Sequence, residues 1–224
     1  MTPREAILGK IRSQISVGSD DTTRRTAVAN RLSSTPKGVI PERGQVAPAE
    51  CVDLFCQQAE KVHATVDRIS TYDGVAEAVS AYLRGRNLPQ SVRMGDDNRL
   101  EAIDWSKTPN LSRAFGPSDG SDPVGLSHAQ MGVAETGTLI MTSGSANPTT
   151  VNFLPETHII LVHSQDISGD YETSLNQIRS QFGKGRMPRT VNMITGPSRS
   201  ADIEQKLLLG AHGPRSLHII VVDD

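Results

Sequence analysis

Hydrophobic residues change their spacing along the 224-residue chain, and each change marks a different kind of segment. Ile7, Leu8, Ile11 and Ile15 recur at helical spacing, which predicts a short amphipathic helix at the N-terminus. Residues 18–50 carry three prolines, several glycines and little apolar periodicity, as in an extended arm that is mobile or wraps a neighbouring surface. We therefore predict an N-terminal helix and arm over residues 1–47 and one α/β domain over residues 48–224.

Within the domain, apolar runs of strand length alternate with stripes of helical spacing. The run from Ile159 to Val162 is continuously apolar, as expected of a strand buried on both faces. It is followed by a helical face over 171–182, a strand from Val191, a helix over 201–209 and a last strand that ends at Val222. Such an alternation predicts a three-layer α/β fold with a mainly parallel sheet and right-handed crossovers. A strand pair around Glu135 is expected as an antiparallel excursion.

Composition excludes several classes of function. The chain has 23 basic and 25 acidic side chains, and only 4% of its residues are aromatic. These values indicate neither a nucleic-acid groove nor a polybasic membrane patch. No apolar run approaches the ~20 residues of a membrane span, and no signal peptide opens the chain. We expect a cytoplasmic protein.

Cysteines and histidines do not form a metal-binding pattern. Cys51 and Cys56 are the two cysteines, whereas an iron–sulfur cluster needs four ligands. No two histidines have the i, i+4 spacing of a helical zinc site, and glycine-rich nucleotide loops are absent from the sequence. We expect no metal and no cofactor on this chain. His158 is expected at the amino end of its strand, capped by nearby backbone groups.

The turn after the strand from Val191 has the composition of an anion site. Gly196 and Pro197 end the strand, and Ser198 and Ser200 are typical residues at the start of a helix. With Arg199, this turn offers backbone N–H groups, two hydroxyls and a guanidinium, which together suit a carboxylate or a phosphate. A well-capped turn with no ligand has the same pattern, so the alternative stays open.

Three motifs carry a resemblance to a known family. They are AETGTLIMTSG from Ala134, NPTTVNFLPETHIILV from Asn147 and GPSRSADIEQKLLLGAHGP from Gly196. Together they resemble the lactate-utilization protein C family, the LUD domain proteins. The resemblance implies the NagB/RpiA/CoA-transferase-like version of the α/β fold. It also implies a role in cytoplasmic oxidation of L-lactate to pyruvate with two iron–sulfur partner proteins, which would carry the clusters.

Two further positions stand out once the resemblance is considered. Glu135 lies in Ala-Glu-Thr-Gly, which is similar to the Ser-Glu-Asn-Gly turn that carries the nucleophilic glutamate of CoA transferases, although a solvated turn explains it equally. His212 and Gly213 form a second candidate motif. A helix over 201–209 would place His212 ~15 Å from Ser198, near the amino ends of the strands. Ser198 and Arg199 themselves would lie at the carboxyl ends, where parallel sheets bind ligands.

The sequence thus supports one main function and two alternatives. The main hypothesis is a non-redox subunit of an iron–sulfur lactate-oxidising system, with an anion held by Gly196, Ser198, Arg199 and Ser200. The first alternative is a stand-alone CoA-transferase-like or small-anion-binding enzyme that uses Glu135. The second is an assembly or regulatory protein whose arm is recognised by partners.

Overall fold

The structure is a computed structural model that describes residues 2–15, 21–34, 36–183, 185–203 and 206–224, and the side chains of 200–203 and 206–208 are not part of that description. The predicted start of the arm, Gly18, lies outside the described residues. The chain divides into two compact units, residues 1–39 and 40–224. No helix in the described ranges is both long enough and apolar enough to cross a membrane.

The described residues of the first unit form two helices, α1 (Pro3–Gln14) and α2 (Thr22–Ser34). A capping box opens α1, because Thr2 Oγ1 accepts from the Glu5 backbone N–H and Glu5 Oε2 accepts from that of Thr2. The predicted N-terminal helix is confirmed. The arm is more helical than the sequence indicated, since the Asp21 carboxylate accepts from the Arg24 backbone N–H and caps α2.

The described residues of the second unit form five further α-helices and twelve strands. In chain order they are α3 (Pro48–Lys61), β1 (Thr65–Ile69), α4 (Val75–Gly85), β2 (Ser91–Met94), α5 (Asn98–Glu101), β3 (Ser112–Phe115), β4 (Val124–His128), β5 (Met131–Val133), β6 (Thr138–Thr142), α6 (Thr149–Phe153), β7 (Thr157–His163), β8 (Ile167–Ser168), α7 (Tyr171–Phe182), β9 (Val191–Ile194), β10 (Arg199–Ile203), β11 (Lys206–Leu209) and β12 (Ser216–Val222).

Two sheets form the frame of this unit. The larger has the strand order β1-β12-β7-β4-β2-β3, and every neighbouring pair in it is parallel. The smaller has the order β8-β5-β6-β9, with β6 antiparallel to both of its neighbours. A mainly parallel α/β fold with an antiparallel excursion at β5 and β6 is therefore confirmed.

Alternating side chains of the central strands divide the core between the two faces of the larger sheet. Ile159 and Leu161 of β7 pack into one buried cluster with residues of α4, and Ile160 and Val162 pack into another with residues of α3. Trp105 is 7% exposed and belongs to the first cluster. The smaller sheet contributes to the second cluster and packs its other face on α7.

The segment between Ser198 and Gly210 differs from its prediction. Residues 199–203 and 206–209 form the antiparallel pair β10–β11, with Arg199 opposite Leu209, and the predicted helix over 201–209 is wrong. The reason is non-local. The Ser198 N–H donates to Pro214 O at 2.8 Å and Gly210 N–H donates to Ser198 O at 3.0 Å, so the segment must return to its starting point. A helix would hold its ends apart.

Candidate functional site

A cavity of about 270 Å³ lies between the loop that follows β9 and the turn that precedes β12. We call it the amino-edge cavity, because His158 and Leu217, which line it, are register partners at the amino ends of β7 and β12. Three of the four predicted anion-site residues, Gly196, Ser198 and Arg199, line it. The second candidate motif, His212 and Gly213, lines it as well.

Ser198 holds the two sides of this cavity together. Its backbone bonds to Pro214 and Gly210, and its Oγ accepts from the His212 N–H at 3.3 Å. The predicted separation of ~15 Å between Ser198 and His212 is therefore wrong, because it assumed a helix between them. The expected position of His212 near the strand amino ends is confirmed.

The predicted position of Ser198 and Arg199 at the carboxyl ends of the parallel strands is also wrong. The strand before them, β9, is antiparallel to β6 in the smaller sheet and does not belong to the parallel one. Gly196 then turns the chain with a φ of 72°, and a Cβ there would lie 2.4 Å from the Val62 carbonyl oxygen. Glycine is thus required both for the backbone conformation and for the close approach.

The charge of the cavity lining is positive. Among the described lining residues, Arg199 is the one arginine or lysine, and none is an aspartate or glutamate. Among the described residues, the Arg199 side chain forms neither a hydrogen bond nor an ion pair. The Ser200 side chain lies outside the described side chains, so its predicted contact with an anion stays a prediction. A guanidinium that has no carboxylate partner among the described residues attracts an anion.

Two buried polar side chains, His158 and Asn152, form the floor, and Ser127 bonds to both of them from outside the lining. His158 Nε2 lies 2.9 Å from Ser127 Oγ, and the Ser127 hydroxyl donates to Asn152 Oδ1 at 3.3 Å. Burial lowers the pKa of His158 to about 3, so its imidazole is neutral. We expected backbone groups to cap His158, and the structure corrects this to the Ser127 side chain. The sequence carries no local signal for these contacts, because they join β4, α6 and β7.

Glu135 lies apart from this lining and is almost fully enclosed. Its side chain is 4% exposed, and Oε2 lies 3.7 Å from the Arg43 Nε. Oε1 accepts from the backbone N–H of Tyr171, the first residue of α7, at 3.2 Å. A carboxylate at a helix N-terminus satisfies a free N–H and interacts favourably with the helix dipole. The bond to the Tyr171 N–H and the contact with Arg43 therefore explain, through a capping role at α7, why a glutamate is buried here.

A hydrogen-bond chain connects the Glu135 turn to the cavity loop. Thr138 Oγ1 lies 2.7 Å from the Tyr171 hydroxyl and 2.7 Å from Thr195 Oγ1, next to Gly196. The turn is also pressed against α3, since a Cβ on Gly137 would lie 2.3 Å from the Ala59 backbone nitrogen. Two of the motifs noted in the sequence are therefore neighbours in the fold.

A second polar cluster, which the sequence did not indicate, lies at the carboxyl edge of the parallel sheet. His128, the last residue of β4, has Nδ1 2.7 Å from the Ala129 carbonyl and Nε2 2.7 Å from the Tyr72 hydroxyl. A carbonyl can only accept, so Nδ1 carries the proton and the Tyr72 O–H donates to Nε2. Burial lowers the pKa of His128 to about 4.

An ion pair neutralises the charges of this second cluster. Arg99 donates to both carboxylate oxygens of Asp97, at 2.7 and 3.0 Å, and to the carbonyls of His128 and Ala129. Burial raises the pKa of Asp97, but the hydrogen bonds and charge of Arg99 outweigh this and lower it. The adjoining cavity of about 190 Å³ is therefore polar without a net charge. In the described part of the chain, no three His, Cys, Asp or Glu side chains are arranged to hold a metal ion.

Comparison with known proteins identifies a family whose model matches most of this chain. The family model of the LUD domain matches residues 46–222. A Lactate utilization protein C from Halalkalibacterium halodurans is 28% identical over 236 residues, covering 99% of this chain and 98% of the relative. Another, from Geobacillus sp. (strain WCH70), is 40% identical over 102 residues, covering 45% of this chain and 42% of the relative.

A crystal structure of a DUF162 family protein from Deinococcus radiodurans has a similar fold. The match has a TM-score of 0.60 at 18% sequence identity, and it covers 79% of this chain and 99% of that one. At this identity the similarity concerns the fold alone.

Proposed function

The chain belongs to the LUD domain family, and on that premise we propose that it acts in lactate utilization as the non-redox subunit of a cytoplasmic lactate-oxidising system. In this system L-lactate is oxidised to pyruvate, and two iron–sulfur partner proteins carry the clusters. The proposal is supported by relatives with the name Lactate utilization protein C, one of which aligns with nearly the whole chain.

The contribution of this subunit is a small-anion site in the amino-edge cavity. The observation that carries this proposal is the guanidinium of Arg199, which is accompanied by no carboxylate among the described residues of the lining. Arg199 pairs with a carboxylate or phosphate, and guanidinium groups bind both through two parallel hydrogen bonds. Ser198 and Gly196 position the loop, and the Ser198 hydroxyl proton is free to point toward the anion, since its oxygen accepts from His212.

Arg199→Ala tests the site. Isothermal titration with sodium lactate and with inorganic phosphate should show binding of at least one of them to the unmodified chain, and Arg199→Ala should weaken it at least about tenfold. Arg189→Ala is the matched control, because Arg189 is exposed and does not line the cavity. Equal affinities in the Arg199 and Arg189 variants would contradict the anion site.

The contacts of Glu135 argue against the alternative in which it is the nucleophile or base of a stand-alone enzyme. Its carboxylate would first have to leave the Tyr171 N–H and Arg43. It would then have to reach a substrate from a position outside the amino-edge cavity lining. The contacts of Glu135 favour a capping role at α7 over a catalytic role. Glu135→Gln distinguishes the two roles, because it keeps the capping oxygen and removes the charge.

Residues 1–39 are the proposed docking segment for the partner proteins. Ile7 and Ile11 on α1 are 61% and 50% exposed, and Leu32 on α2 is 67% exposed. Neither helix buries a residue within the described chain. Removal of residues 1–39 should abolish co-purification of iron-bearing partners from lactate-grown cells and leave anion binding by residues 40–224 unchanged. Retention of the partners by the shortened chain would refute this role and favour a docking surface on the second unit.

A further inference from the structure

Two polar atoms in the floor of the amino-edge cavity have no hydrogen-bond partner among the residues that the structure describes. They are His158 Nδ1 and Asn152 Nδ2, both fully shielded by the surrounding residues. His158 is 0% exposed and Asn152 is 1% exposed, and both line the cavity. A buried polar group without a partner is destabilising, so a ligand or a water is expected to complete the pair.

The hydrogen bonds behind these atoms fix which one donates and which one accepts. Asn152 Oδ1 can only accept, so the Ser127 hydroxyl gives its proton to Asn152. Ser127 Oγ must then accept at its contact with His158, which places the imidazole proton on Nε2. His158 Nδ1 is left as a lone pair that needs a donor, and Asn152 Nδ2 is left as a donor that needs an acceptor.

We propose that the ligand of the amino-edge cavity is an anion that also bears a hydroxyl group, with the hydroxyl donating to His158 Nδ1 and the anionic group paired with Arg199. This inference rests on the proposed anion site. An oxygen of the same ligand accepts from Asn152 Nδ2. We call His158, Ser127 and Asn152 the hydroxyl-selecting relay.

The relay discriminates against ligands of nearly the same size. A 2-oxo acid offers a carbonyl in place of the hydroxyl, so two lone pairs would face each other at His158 Nδ1. An unsubstituted acid leaves His158 Nδ1 unpaired. A neutral imidazole suits this task, because burial keeps the pKa of His158 far below neutral pH and the ring carries no proton on Nδ1 to repel a donor.

A matched series of three-carbon acids tests the relay. Isothermal titration of the full chain with lactate, pyruvate and propionate should give a dissociation constant for lactate that is at least about tenfold lower than for the other two. Tighter binding of pyruvate would overturn the inference, since it would require the opposite tautomer of His158. Equal affinities for the three acids would also overturn it. They would indicate that a water, and not the ligand, bonds to His158 Nδ1 and Asn152 Nδ2.

The same titrations separate this inference from the proposed function. If all three acids bind equally and Arg199→Ala weakens all of them, the anion site is present and the relay does not select. If none of them binds but inorganic phosphate does, the anion site is present and the inference fails. If phosphate does not bind either, both proposals fail.

Ser127→Ala examines the relay directly. Loss of the Ser127 hydroxyl frees His158 to carry its proton on either nitrogen. The ratio of the dissociation constant for pyruvate to that for lactate should therefore fall toward one. The ¹⁵N chemical shifts of the His158 ring should change with it. Ser174→Ala is the control, because Ser174 is equally buried and bonds to Ser168 outside the cavity. An unchanged preference in a folded Ser127→Ala chain would overturn the relay, and the unmodified chain decides the question if this variant does not fold.

Discussion

The backbone N–H of His212 donates to Ser198 Oγ over 3.3 Å, so the two sides of the amino-edge cavity are joined by one hydroxyl. The Ser198 backbone adds bonds to Gly210 and Pro214, and these hold both ends of the β10–β11 pair at one point. The lining around Arg199 therefore depends on Ser198 for its shape.

Removal of this hydroxyl should loosen the cavity more than it destabilises the protein. In Ser198→Ala the His212 N–H loses its acceptor, at a cost of about 1 kcal/mol in the free energy of unfolding. Amide hydrogen exchange should accelerate at His212 and remain unchanged at Ile160 in the central strand β7, which serves as an internal control. Unchanged exchange at His212 would mean that the hydroxyl does not hold this turn.

Gly196 should tolerate no side chain. Gly196→Ala places a Cβ 2.4 Å from the Val62 carbonyl oxygen at a φ of 72°, so we expect a loss of roughly 2–4 kcal/mol in the free energy of unfolding. Gly185→Ala is a close control, since Gly185 has a φ of 73° and no atom within 4 Å of the added Cβ. In urea denaturation, Gly185→Ala should lose only about 1 kcal/mol in the free energy of unfolding, because the strain of its φ is not joined by a steric contact. Similar losses for both variants would show that the contact with Val62 relaxes easily.

A substitution at Glu135 should distinguish a cap from a nucleophile. Glu135→Gln keeps an oxygen that accepts from the Tyr171 N–H and removes only the charge, so the capping role predicts less than about 1 kcal/mol of destabilisation. Lactate oxidation by the reconstituted complex should then match that of Glu172→Gln, which removes another acid from the first turn of α7. Loss of all activity in the Glu135 variant alone would support the enzymatic role.

The strands of the parallel sheet were predictable, whereas the cavity they support was not. Continuous apolar runs such as Ile159–Val162 identify buried strands, because their side chains must fill the core on both faces. The segment 199–209 has helical signals, but such propensities are weak and the bonds of Ser198 to Gly210 and Pro214 override them.

The relay was beyond sequence reasoning for a related reason. Ser127, Asn152 and His158 come from three separate elements, and their contacts arise only when β4 and β7 pair and α6 packs against them. Arg199 and Ser198 were found because they are consecutive in a turn. Their position at the amino edge could not be found, since it depends on the pairing of β9 with β6.

Acid should destabilise the protein through three buried histidines. Burial lowers the pKa of His158 to about 3 and those of His128 and His218 to about 4, from a usual value of 6.5. The unfolded chain therefore binds protons below about pH 6.5 that the folded chain does not bind. The contribution to stability is complete above pH 6.5 and is lost as the pH falls toward 4, by on the order of 3 kcal/mol for each histidine.

Urea denaturation at pH 7 and pH 4 measures this loss. In His218→Gln one of the three groups is absent, so the difference in unfolding free energy between the two pH values should shrink by about a third. A uniform destabilisation by the substitution cancels in this difference. His63→Asn is the control, because His63 is exposed and asparagine accepts its φ of 69°. An identical difference in the His218 variant and the unmodified chain would show that His218 is not kept neutral by burial.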